Sequence, residues 1–306
     1  MHFSQVGDEE VIDLRELFLV FWSGKWLIGG LTFVATVVAV IFALLLPNIY
    51  RAEALLVPNQ DDPSSNASAL AAQYGGLASL ARINVGNGAP DRTALGLEIL
   101  KSRKFISEFV ERHDILVPLM AATGWNSETG TLEVDADSYD ESAGEWVRDA
   151  RPPRSKSPSL QEAFEKFSSA NLIVSQDDKT GFVTVAVEHY SPIIAQQWVE
   201  WLIRDLNATV MRQDVDEAER AIKYLEEQIA ATSVADLQNV FFRLIEEQTK
   251  TVMLAKVSPE YMFRTIDPAV VPELKARPKR SVIALIGMVL GGLVGIVVVL
   301  VSKKST

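Results

Sequence analysis

The chain has 306 residues, 48% of them hydrophobic, and a formal net charge of -11. That acidity excludes a general nucleic-acid binder, which carries a basic footprint. The absence of cysteine excludes a disulfide framework and a thiolate zinc site, and the length allows one large domain or two small ones.

Residues 8–25 read DEEVIDLRELFLVFWSGK and set Val11, Leu14, Phe18, Phe21 and Trp22 at helical spacing. They predict a short interfacial helix, with Trp22 and Trp26 near lipid headgroups. Trp26–Leu46 then runs 21 residues without a charge, and Ser281–Val301 does the same near the other end. At 1.5 Å per residue each reaches roughly 31 Å, against a hydrocarbon core of about 30 Å. A buried core helix is the competing reading; two such runs bracketing a polar middle weigh against it. A cleaved signal peptide fits poorly as well. The first run is too long for one, and its flank holds Asp8, Glu9, Glu10, Asp13 and Glu16 where a signal has cations.

The sequence thus predicts two membrane spans, with both ends on one side and Pro47–Arg280 on the other. The cations do not assign the sides. Arg15, Lys25, Lys303 and Lys304 lie on the end side; Arg51, Lys275, Arg277, Lys279 and Arg280 lie on the middle side. Long loops cross largely regardless of charge.

Beyond the first span, Ile49–Val57 reads as a strand ending at Pro58. A Ser/Asn/Asp-rich turn (59–68), a small apolar stretch (Ala69–Ile83) broken at Gly75-Gly76, and a glycine-rich loop (Asn84–Asp91) follow. Thr93–Arg112 is an amphipathic helix or helix pair, with Ile99, Leu100, Phe105, Ile106, Phe109 and Val110 facing inward. Eight acids between Asn126 and Ala150, then RPPRSKSP, predict an exposed loop or arm over 126–158. Ser159 and Glu162 form a capping box opening a short helix to about Ser168. Leu172–Val174 and Phe182–Glu188 flank QDDKTG as a hairpin. Val183, Val185 and Val187 fall on one face, Thr184 and Glu188 on the other.

Ser191-Pro192 is a helix start, and no Gly or Pro follows until Pro259. Pro192–Ala231 predicts a helix of about 60 Å. The break falls at Ala231-Thr232-Ser233, where Ser233 can cap a second helix running back to Val257. Trp198, Trp201, Leu202, Leu206 and Val210 make an apolar stripe near the start; Met211–Arg220 is polar on nearly every face; Ile222, Leu225 and Ile229 resume a narrow seam. Such a helix leaves its domain and pairs with the return helix. Tyr261–Ile266 reads as a strand. Pro268, Pro272 and Pro278 then carry an extended segment, with Lys275, Arg277, Lys279 and Arg280, to the second span.

No catalytic, cofactor or metal site is expected. His2, His113 and His189 lack ligand spacing, Walker A and GxSxG patterns are missing, and the acids of 128–149 lack calcium-loop spacing. Gly287, Gly291 and Gly295 recur every fourth residue, as do Ala35, Ala39 and Ala43. Small residues on one face let helix backbones approach in lipid. This predicts packing of the two spans, or of subunits.

Five stretches in order carry a family likeness: IDLRELFLVFWSGKWLI, IYRAEALLVP, YGGLASLARI, LEILKSRKFISEFVERHDI, and PKR ahead of a glycine-rich helix. Together they resemble the bacterial polysaccharide co-polymerases, the chain-length determinant (Wzz-type) family, over most of the chain outside 126–158. The resemblance implies an α+β periplasmic domain, with a membrane-proximal α/β base and a long helical hairpin, between two transmembrane helices. The expected division is a cytoplasmic segment 1–25, span 26–46, periplasmic domain 47–280, span 281–301 and cytoplasmic tail 302–306. Within the periplasmic domain the base takes 47–190 and 258–280, the hairpin 191–257.

It also implies a Gram-negative inner-membrane protein that forms a homo-oligomeric ring. Such a ring sets the modal length of O-antigen or a related glycan, without being an enzyme and without a cofactor. The implied partners are an integral-membrane polymerase, its lipid-linked glycan and membrane lipid. Subunits would meet through the base and lower long helix near Trp198 and Trp201, and the cations before the second span would meet phosphate-bearing headgroups. One alternative is a co-polymerase for capsule or exopolysaccharide export with a separate cytoplasmic kinase, against which the tyrosine-free tail SKKST counts. Another is a two-span periplasmic sensor, for whose output module neither terminus has room. The missing Walker A segment separates the chain from co-polymerases fused to a tyrosine kinase domain.

Overall fold

The computed structural model describes residue 22 and residues 24–59 and 92–304. Most of the expected lead-in helix over 8–25, and everything expected between 60 and 91, lie outside the described residues. Two units are separate: a terminal unit of Met1–Asn48 with Ala276–Thr306, and a middle unit of Ile49–Lys275.

In chain order, the elements begin with α1 (Lys25–Leu45), β1 (Ile49–Pro58), α2 (Arg92–Lys101), α3 (Arg103–Arg112) and α4 (Leu116–Met120). Four short strands follow: β2 (Ala122–Asn126), β3 (Thr131–Val134), β4 (Tyr139–Asp140) and β5 (Glu145–Trp146). Then come α5 (Leu160–Lys166), β6 (Leu172–Gln176), β7 (Val183–His189) and the two longest helices of the middle unit, α6 (Pro192–Ala231) and α7 (Ala235–Val257). The chain closes with β8 (Phe263–Asp267), β9 (Lys275–Arg277) and α8 (Arg280–Lys304). The result is an α+β middle unit bearing a long helical hairpin, and a terminal unit of two apolar helices.

Local chemistry sets most boundaries. The Ser102 hydroxyl accepts the Phe105 N–H at 3.2 Å and splits the 93–112 stretch into α2 and α3. Ser159 and Glu162 make both bonds of the capping box ahead of α5. Ser191 accepts from the Ile194 N–H, and Pro192 opens α6. The hairpin tip departs from expectation: Val234, not Ser233, precedes α7, with no side-chain cap. The Gln238 amide instead donates to the Thr232 carbonyl at 2.9 Å, closing the turn from the far side.

Along the main path of the sheet the strand order is β6–β7–β1–β8, antiparallel throughout. The β1–β7 register sets Ala52 opposite Val187, Ala54 opposite Val185 and Leu56 opposite Val183. These six share one face because side chains alternate along a strand. They are buried with Trp198, Leu202 and Leu206 of α6 in one core. Phe167 bridges Phe109 and Trp198 with ring centroids at 5.6 and 5.7 Å, a tilted stack typical of aromatic cores. Glu188, on the face opposite the valines, is buried, and so is His189.

The acidic stretch 126–158, expected as an exposed loop or arm, is largely exposed but is ordered in its first part. Its part up to Trp146 completes two β-hairpins, β2–β3 and β4–β5, while 147–158 holds no strand or helix and is mostly exposed. Some of its polar residues are turn-makers. Asn126 Oδ1 accepts the N–H groups of Glu128 and Thr129, and Asp140 Oδ1 those of Ser142 and Ala143. Gly130 and Gly144 take the positive φ that each turn needs. Tyr139 and Trp146 meet edge to face at 5.1 Å. Arg148 then fastens the segment. It donates to both Glu162 oxygens at 2.7 and 3.0 Å and to the carbonyls of Ser155 and Lys156, a bidentate geometry with a further backbone clamp.

Two groups make the middle unit acid-sensitive. The Arg148 guanidinium holds the Glu162 carboxyl down at about 2. Burial pushes the His189 imidazole down to about 4. That ring is neutral: Nδ1 accepts the Ser191 N–H, so Nε2 donates to the Pro118 carbonyl at 3.0 Å. Both pKa values lie below their unfolded counterparts, so the unfolded chain binds protons first and stability falls with pH. The His189 contribution is complete above about 6.5 and drains away toward about 4. That of Glu162 is complete above about 4.5 and is lost toward about 2. Denaturation of the full chain in detergent should therefore show two acid-side steps, and Arg148→Ala should shrink the lower one while leaving the upper.

Candidate functional site at the helix seam and the hairpin root

α1 and α8 have the length and apolarity to cross a membrane, with only 6% and 17% of their most apolar windows buried. A soluble core helix would bury most of that surface; these turn Phe33, Phe42, Leu285, Leu290 and Val297 outward. The small residues line the contact between them. A Cβ at Gly287 would strike the Ala39 methyl and lie 3.3 Å from the Ala35 carbonyl. At Gly291 it would lie 2.6 Å from the Ala35 methyl and 3.0 Å from Thr32 Cα, and at Gly295 3.0 Å from Ile28 Cα. The partners descend as the glycines ascend, so the helices run antiparallel with backbones nearly touching. Thr32 and Thr36 bond back to the carbonyls of Ile28 and Thr32, which keeps their hydroxyls satisfied within α1.

Arg280 closes one end of this pair. Its Nε donates to the Ala43 carbonyl at 3.1 Å and its Nη2 to Asn48 Oδ1 at 3.2 Å. Ala43 lies in the last turn of α1, where carbonyls lack helical partners and the helix dipole favours a cation. Ala43, expected as a small packing residue, is buried at this point. The sequence showed a cation beside an apolar run; nothing local in it names a carbonyl 237 residues earlier as its partner.

The middle unit's counterpart is the root of the hairpin. Asn207 of α6 is buried; its Oδ1 accepts the N–H groups of Met262 and Phe263 at 2.7 and 2.9 Å, and its Nδ2 donates to the Phe263 carbonyl at 3.1 Å. One amide thus holds the chain as it re-enters the sheet. Asp214 of α6 accepts from Arg92 and from the Tyr261 hydroxyl, and the Arg92 guanidinium lies over the Tyr261 ring. A Cβ at Gly96 would lie 2.5 Å from Met262 Cε and 2.9 Å from Phe263 Cε2, so α2 packs tightly against the start of β8 at this glycine. Nearer the helix start, buried Asp205 accepts from Arg112 at 2.7 Å and contacts His113 Nε2 at 3.0 Å. A polar pair inside an apolar stripe, Asp205 and Asn207 between Leu202 and Val210, is the sequence signal that marks this root.

Trp198 corrects an expectation. It is 1% exposed, packed on Phe167 and on His189 at 4.8 Å. It is a core residue of its own chain and offers no surface to a second one. Trp201 is half-buried and stacks on His113 at 4.2 Å. Of the segment leading to α8, Pro268, Lys275, Arg277 and Lys279 are exposed, and Pro272, Pro278 and Arg280 half-buried. This chemistry clamps and packs; among the described residues no group of three His, Asp or Glu is placed to hold a metal.

Two substitutions test these contacts. Gly291→Leu forces the seam apart, since overpacking costs about 1–3 kcal/mol even where neighbours give. A disulfide between Thr32→Cys and Gly292→Cys, unambiguous in a chain without cysteine, should form in the parent and fall at least several-fold with Gly291→Leu. Asn207→Ala strands two buried N–H groups, and should lower the unfolding free energy by roughly 2–4 kcal/mol in a denaturant titration.

Residues 10–113 match the family described as chain length determinant protein, and residues 233–304 the family described as G-rich domain on putative tyrosine kinase. No curated protein matches the chain. Among solved structures, a full-length bacterial polysaccharide co-polymerase aligns over 95% of this chain and 98% of its own, at 14% identity and a TM-score of 0.38. A fragment of WzzB, the polysaccharide co-polymerase from Salmonella Typhimurium, aligns over 75% of this chain and 100% of its own, at 15% identity and a TM-score of 0.27. The chain thus carries a chain-length determinant profile over its start and a G-rich profile from the hairpin tip through the second apolar helix, and in both it is similar to the chain-length determinant (Wzz-type) family.

Proposed function

We propose that this protein is a non-enzymatic regulator of surface-polysaccharide chain length, most specifically of lipopolysaccharide O-antigen. In this reading it sits in the bacterial inner membrane on α1 and α8, with both termini cytoplasmic and the middle unit periplasmic. It acts as a homo-oligomer beside a separate integral-membrane polymerase and that enzyme's lipid-linked glycan. The observation that carries the reading is the pair of family matches in order along the chain. The hairpin supports it: α6 has 40 residues, about 60 Å at helical rise.

The surface for a second copy moves from the tryptophans to the hairpin. Leu237, Val240 and Leu244 of α7 are exposed at spacings of three and four, one stripe along the helix. A line of exposed apolar side chains on a polar helix marks a contact surface. The seam of Gly287, Gly291 and Gly295 with Ala35 and Ala39 keeps the two spans of each copy together as one element.

A second reading is favoured by the G-rich match over 233–304: control of capsule or exopolysaccharide length, with a separate cytoplasmic kinase. Deletion of the gene in its own bacterium separates the two. Loss of the modal band on a lipopolysaccharide gel, with polymer still made, supports the O-antigen reading. An unchanged ladder with a shifted size distribution of capsule or secreted polysaccharide supports the second. No change in either glycan overturns both.

A further inference from the structure

Between β8 and α8 the chain turns apolar side chains toward solvent. Val270 is 69% exposed, Val271 47% and Leu274 84%, while Ala269 between β8 and this run is buried in the core of the middle unit. The stretch 268–272 reads PAVVP and carries no charge; Lys275, Arg277 and Lys279 follow within seven residues, all exposed, with Glu273 the one acid among them. Single exposed apolar residues are ordinary. Three within five residues, pinned to the domain at Ala269 and followed by alternating cations, are not. Pro268, Pro272 and Pro278 have no N–H, so the segment brings fewer donors needing water. Leu274 precedes Arg280, where α8 begins, by six residues, at most about 20 Å of extended chain.

We infer that residues 268–279 are a membrane-surface anchor. Val270, Val271 and Leu274 enter the boundary between headgroups and acyl chains, and Lys275, Arg277 and Lys279 engage the phosphates of anionic phospholipid. Apolar insertion and cationic attraction are the two terms that bind a segment to a bilayer surface. The partner is the bilayer, because the same chain continues into an apolar helix of membrane-spanning length. Arg280 bonds to Ala43 and Asn48 at the end of the helix pair and is left out of the anchor. The anchor rests on reading α8 as a span and is independent of which glycan is controlled.

The test uses the full chain in nanodiscs of phosphatidylcholine, with or without phosphatidylglycerol. Single cysteines replace Val270, Leu274, Val297 or Lys179 and carry an environment-sensitive fluorophore. Lys179 lies in the exposed β6–β7 turn and Val297 on the outward face of α8. Labels at Val270→Cys and Leu274→Cys should be quenched at least twofold more than at Lys179→Cys by lipids spin-labelled near the headgroup. The quenching should rise with phosphatidylglycerol, and the triple variant Lys275→Gln, Arg277→Gln, Lys279→Gln should remove that rise. Labels at 270 and 274 as unquenched as at 179, with 297 quenched by deep spin labels, overturn the anchor while leaving the span intact. An unquenched 297 label overturns the span itself. Quenching at 270 and 274 that ignores phosphatidylglycerol overturns the role given to the cations.

Discussion

The Asn207 amide closes the path by which the hairpin returns to its base. A helix of 40 residues followed by one of 23 carries the chain far from the sheet and back, and nothing local says where the return must dock. Asn207 answers with both faces of one amide. Two N–H groups and one carbonyl at Met262 and Phe263 are satisfied by a side chain more than fifty residues earlier. A buried amide has few ways to meet all its bonds, so the register of β8 beside β1 and the rooting of α6 are fixed together. Asp214, Arg92 and Tyr261 then bind the next turns of α6 to the same place.

A parallel logic holds in the terminal unit, with packing in place of polar bonds. In lipid two apolar helices gain little from hiding apolar surface, so close backbone approach must hold them. Gly287, Gly291 and Gly295 permit that approach against Ala39, Ala35 and Ile28. Arg280 adds a polar fastening at the end, where α1 leaves a carbonyl without a helical partner. Both units thus place their specificity in a few residues and leave the remaining surface to the solvent that each faces.

Much of this was legible in the sequence because local rules sufficed. Ser191-Pro192, Ser159 with Glu162, and the absence of Gly and Pro after 192 set helix starts through hydrogen bonds within one turn. The valines of β7 named a buried face by alternation. The hairpins of the acidic stretch escaped these rules for a related reason. Asp135 and Asp140 look like solvated charge in composition, yet each accepts backbone N–H groups two or three residues ahead and a nearby hydroxyl. Composition cannot distinguish a charge that faces water from one that makes a turn. Trp198 failed differently. An aromatic stripe shows which face of α6 is apolar, and not whether its own sheet or another chain covers it.

By itself the sequence determined the two apolar runs, the caps, the alternation of the central strands and the order of family segments. Each depends on residues close in the chain or on composition over about twenty of them. Only the tertiary structure decided that Arg280 serves α1, that Asn207 receives Met262 and Phe263, that Arg148 pins the acidic hairpins to Glu162, and that Trp198 belongs to the core. Those pairings join residues from 14 to 237 positions apart. They exist only once burial has excluded water and left each polar group its partner across the fold.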